Sequence, residues 1–151
     1  MKTFASWGSS DEASIIELEK NLGFALPADY RAFLMENNGG RVDDEVFFVE
    51  GLGQDVMMDV FYGATHRNRA LTLAFWMKEY GEELPENALV IGTDPGGGML
   101  LYITAGEDKG VYYWDHAHFF EASTEEDGNT YFVADSFADF CAQLKPFAEA
   151  R

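Results

Sequence analysis

Leu89-Val90-Ile91, Met99-Leu100-Leu101-Tyr102-Ile103 and Val111-Tyr112-Tyr113-Trp114 are three short apolar runs, parted by Asp94-Pro95-Gly96-Gly97-Gly98 and Gly106-Glu107-Asp108-Lys109-Gly110. Runs this short, rich in β-branched and aromatic residues and bounded by Gly, Pro and Asp, read as strands joined by turns. Such tight connections favour antiparallel pairing, because a parallel return needs a crossover of about a dozen residues or more. Val46-Phe47-Phe48-Val49, Met57 to Tyr62 and Tyr131-Phe132-Val133 extend the same texture on both sides. One helix is predicted among them, Ala70 to Tyr80, with Leu73, Trp76, Met77 and Tyr80 at helical spacing.

Helices flank this block. Ser9-Ser10-Asp11-Glu12 has the spacing of a capping box, followed by Ile15, Leu18 and Leu22 on one face and Gly23 as the stop. Pro27 suits the first position of a second helix, which presents Tyr30, Phe33 and Leu34 and halts at Asn38-Gly39-Gly40. A last helix is predicted from about Ser136 to Ala148, on the stripe Phe137, Phe140, Cys141 and Leu144, with Pro146 disturbing its final turns. The expectation is a single α+β domain over residues 1–151. Its mainly antiparallel sheet is flanked by an N-terminal helical hairpin, one inserted helix and a C-terminal helix.

The chain carries a formal net charge of −17 over 151 residues. Affinity for nucleic acid or for an anionic membrane rests on Lys and Arg, so both partners are excluded by this balance. Self-repulsion argues for a monomer. Met1 to Gly8 has no apolar core of a secretory signal, no run of about 20 apolar residues occurs, and the lone Cys141 cannot pair within the chain. A cytoplasmic protein without cofactor is expected.

Four separated segments resemble the SMI1/KNR4 family, also called the SUKH superfamily. They are Glu17…Leu22-Gly23…Leu26-Pro27-Ala28-Asp29-Tyr30…Phe33-Leu34…Asn38-Gly39-Gly40, then Leu84-Pro85-Glu86-Asn87…Ile91-Gly92-Thr93-Asp94…Gly97. Gly110-Val111-Tyr112-Tyr113-Trp114-Asp115-His116 and Val133-Ala134-Asp135-Ser136-Phe137…Phe140 follow in the same order. The resemblance implies an antiparallel α+β fold. It also implies a non-catalytic protein-binding role: many bacterial members look like immunity proteins that neutralise toxins, often nucleases, and fungal relatives act as regulatory interaction proteins.

From Glu79 to Asp139 fourteen carboxylates face a single cation, Lys109. This excess suits either a solubilising surface or a mimic of nucleic acid that attracts a basic toxin domain. The candidate partner-binding residues are Asp94, Glu107, Asp108, Tyr113, Trp114, Asp115, His116 and Glu121, with Tyr113 or Trp114 as the aromatic anchor. His116 and His118 would share a strand face and, with Asp115 or Glu121, could begin a hydrolytic metal centre. No H-E-x-x-H or paired-Cys pattern supports that, so no metal and no catalytic residue are expected. Asp94-Pro95-Gly96-Gly97-Gly98 lacks the Lys-Ser/Thr of a phosphate loop and reads as a turn. A regulatory scaffold without a toxin is the remaining alternative.

Overall fold

Those three apolar runs become adjacent strands in a computed structural model, which describes residues 4–115 and 130–149. In chain order the elements are β1 (Phe4–Ser6), α1 (Glu12–Leu22), α2 (Ala28–Glu36), β2 (Gly40–Val42), β3 (Glu45–Val49), β4 (Gln54–Met57) and β5 (Val60–Phe61). Then come α3 (Leu73–Tyr80), β6 (Ala88–Thr93), β7 (Met99–Ile103), β8 (Gly110–Trp114), β9 (Thr130–Ala134), α4 (Phe137–Gln143) and β10 (Lys145–Pro146). Among the described residues seven strands form one sheet in the order β1-β2-β5-β6-β7-β8-β9, and β10-β3-β4 form a second. Every strand pair is antiparallel. The α+β expectation therefore holds.

Local chemistry sets the helix ends, and in places it differs from the sequence reading. The cap of α1 is Asp11, whose carboxylate accepts from Ser14 N at 2.7 Å, and not Ser9. Hydrogen bonding to the Ser14 side chain, and then to its backbone N–H, holds the Asp11 carboxyl below the usual carboxylate range. Gly23 closes α1 in the left-handed region and donates its N–H to Glu19 O. Pro27 precedes α2 as its cap instead of opening its first turn. The C-terminal helix is shorter than expected: α4 ends at Gln143, and Lys145-Pro146 pairs with Glu45-Val46 as β10. Pro146 lacks the N–H an interior helical turn would use, and an edge strand tolerates that.

Alternation along β8 divides the large sheet into two chemical faces. Val111 and Tyr113 point to the side where Tyr113 meets Phe47 of the small sheet, 6.0 Å between ring centres. On that side Tyr30, Phe33, Phe61, Phe137 and Phe140 form a buried aromatic cluster with centroid separations of 4.9–6.2 Å. Tyr112 and Trp114 lie on the opposite face, where α3 brings an aromatic ladder. Trp76 stacks between Tyr62 and Tyr80, and Tyr80 meets the edge of Trp114 at 5.5 Å.

Burial pushes the Tyr30, Tyr62 and Tyr113 phenols well above their ordinary value, and Tyr102 and the Cys141 thiol each up to about 12. These groups are held neutral in the fold and ionise more easily in the unfolded chain. Their contribution is therefore complete below about pH 8 and is lost as pH rises toward 12, the thiol's share first. Absorbance at 295 nm should show these buried tyrosines ionising together with unfolding, in step with loss of the near-UV circular dichroism. Separate, gradual ionisation of all seven tyrosines in an intact fold would contradict this burial.

Candidate functional site

Among the described residues, the acidic and aromatic candidates singled out by the sequence do not converge on one place. Asp94 and Trp114 flank one end of the β7–β8 pair, where Met99 opposes Trp114. Glu107 and Asp108 lie in the turn at its other end, where Ile103 opposes Gly110. Four residue steps separate the ends, roughly 13 Å along an extended strand.

At the first end, Asp94 is engaged in holding its own turn. Its Oδ1 accepts from Gly98 N at 2.6 Å and its Oδ2 accepts from the Tyr113 hydroxyl at 2.5 Å. Gly98 must lack a side chain, since a Cβ there would fall 2.3 Å from that hydroxyl oxygen. Tyr113 is only 4% exposed, so it serves the core and this turn and cannot act as a surface anchor. Trp114 is half-buried against Tyr80, and Asp115 follows it, also half-buried. His116, His118 and Glu121 lie outside the described residues. Among the described residues no group of three His, Cys, Asp or Glu is placed to hold a metal ion.

At the second end a groove of about 470 Å³ runs between the segment before β6 and the β7–β8 turn. Pro85, Ile103, Ala105 and Tyr112 supply apolar lining, and Glu86, Glu107 and Asp108 stand exposed around it. Both walls are fixed. Thr104 donates its N–H and its hydroxyl to Asn87 O at 2.9 and 2.8 Å, and the Tyr112 hydroxyl donates to Asp108 O at 2.7 Å. Across the strand pair, Tyr112 opposes Phe132, whose ring meets it edge-on at 5.6 Å and is 49% exposed. Glu86, Tyr112 and Phe132 were not among the sequence candidates, because only the strand register brings them beside Glu107 and Asp108.

Two motif residues prove to be tethers. The Asn38 side chain accepts from Ala64 N at 2.7 Å and donates to Thr65 O and Oγ1, both at 2.9 Å, clamping the loop after β5 to the end of α2. It does more than stop a helix. Asp29 accepts from the Tyr102 hydroxyl at 3.1 Å and from Ala138 N at 3.0 Å, joining α2, β7 and the first turn of α4.

This architecture and its tethers accompany a match to a family model described as SMI1 / KNR4 family (SUKH-1), over residues 10–143. The chain belongs to this family. A curated relative, the SPbeta prophage-derived uncharacterized protein YokK of Bacillus subtilis (strain 168), is 28% identical over 146 residues, covering 85% of this chain and 71% of that protein. The SUKH-1 family is in general one of non-catalytic, immunity-type domains. Among the described residues no helix is long and apolar enough to cross a membrane.

Within this SUKH-1 domain the segment Leu26-Pro27-Ala28-Asp29-Tyr30 acts as a structural joint. Asp29→Ala strands the buried Tyr102 hydroxyl and uncaps Ala138 N, so it should cost about 2–3 kcal/mol in urea unfolding. A loss below about 0.5 kcal/mol would show that Asp29 is not the joint these contacts describe.

Proposed function

We propose that this SUKH-1 domain is a non-catalytic immunity protein that neutralises a basic, nuclease-like toxin domain by binding it directly. The observation that carries the reading is the charge distribution on a domain of this family: fourteen carboxylates against Lys109 between Glu79 and Asp139. A polyanionic surface resembles the substrate of a nuclease, draws a basic active site by long-range attraction and repels acidic partners. Several of the cations elsewhere are already set against acids: Arg31 beside Glu12 and Glu19, Arg41 beside Asp59, Lys145 beside Asp55. They leave the negative field little opposed.

The test is co-expression with a candidate toxin domain from a gene adjacent to this one. Restored growth together with co-purification supports the reading. Killing that continues despite ample folded protein, with no complex recovered, refutes it and returns the regulatory-scaffold reading.

A further inference from the structure

We propose that the groove bounded by Glu86, Glu107, Asp108 and Tyr112, with Phe132 at its side, is where an arginine-bearing loop of the basic partner docks. The site assignment rests on the binding reading above, but it is argued from different observations. The groove combines an apolar lining with three exposed carboxylates, and among the described residues no Lys or Arg lines it. Lys109, the neighbouring cation in the turn, is itself exposed.

The chemistry selects the occupant. An apolar peptide would bury carboxylates without compensation. A second copy of this chain, at −17, would set acid against acid. A guanidinium fits both halves of the groove: its plane stacks on an aromatic ring while its N–H fork binds a carboxylate. The Tyr112 ring lines the groove in a fixed position, because its hydroxyl is tied to Asp108 O at 2.7 Å. Phe132, exposed beside it, would cover the aliphatic stem of the arginine. Both walls are hydrogen-bonded before any ligand arrives, so little ordering cost remains. Asp94 itself is less suited, since both its oxygens already serve Gly98 and Tyr113.

The probe is a hexa-arginine peptide titrated into the full chain at about 0.15 M salt and followed by backbone amide shifts in ¹H–¹⁵N spectra. Shifts should concentrate at Glu86, Glu107, Asp108, Tyr112 and Phe132. The double substitution Phe132→Ala, Glu107→Gln should weaken binding about tenfold or more, and both sites are exposed enough to spare the fold. Glu17→Gln, on the exposed surface of α1, should leave it unchanged. No binding, shifts spread evenly over all exposed carboxylates, equal affinity for hexalysine, or equal weakening by Glu17→Gln would each overturn the assignment. The toxin reading fails separately. If a toxin is neutralised and the double variant binds it normally, the groove is wrong and the function stands. If the peptide seats here but no toxin is neutralised, the function is wrong and the groove stands.

Discussion

Gly39→Ala is expected to remove about 2–5 kcal/mol of folding stability. Gly39 sits at φ +81°, a region that costs a residue with a Cβ about 1–2 kcal/mol. A Cβ there would also meet backbone: Phe61 O at 2.6 Å, Gly63 N at 2.7 Å and Tyr62 C at 2.8 Å. These atoms cannot move aside cheaply. Tyr62 N donates to Ile91 O, Gly63 N to Leu71 O, and Gly63 O accepts from Leu73 N, all at 2.9–3.0 Å. Such overpacking adds about 1–3 kcal/mol. Gly53 supplies the control, because its φ is +66° but nothing lies within 4 Å of the added carbon. Gly53→Ala should cost only the backbone share, about 1–2 kcal/mol. Urea unfolding of the two variants isolates the overlap. Equal losses would mean that the approach of β5 to the Asn38-Gly39-Gly40 segment is not close-packed.

On the proposed reading, association with a basic toxin domain is expected to slow about 10–100-fold when salt rises from about 0.02 to 0.5 M. The Debye length shrinks over that range from roughly 20 Å to about 4 Å, which removes long-range steering but leaves short contacts. Dissociation should therefore change much less than association. Stopped-flow mixing measures both. A salt-independent association rate would show that the acid excess serves solubility and does not steer the partner.

The parts of this fold legible in the sequence were those with enough residues to display a period. Met99 to Ile103 and Val111 to Trp114 became β7 and β8 nearly to the residue, since their bounding turns carry Gly and Asp. The strands β1, β2 and β10 have three, three and two residues, too few for alternation to show. Met57 to Tyr62 read as one strand but breaks at Met58-Asp59, where the chain passes from the small sheet to the large one. The grouping of the candidate residues was hidden for a related reason. Sequence proximity placed Asp94, Glu107 and Trp114 together, whereas a hairpin sends successive turns to opposite ends of its strands. Tyr113 could not be told from Tyr112 without the face assignment, yet one is core and the other lines a groove. Charge was legible; its arrangement was not.

The central claim is neutralisation by stoichiometric binding without chemistry. It is tested most directly by titrating a fixed amount of the active toxin domain with this protein, then weighing the toxin by intact mass spectrometry. The expected result is activity falling linearly to its floor at one equivalent, with the toxin's mass unchanged. Inactivation by a small fraction of an equivalent, progressing with time and leaving the toxin cleaved or covalently altered, would contradict it.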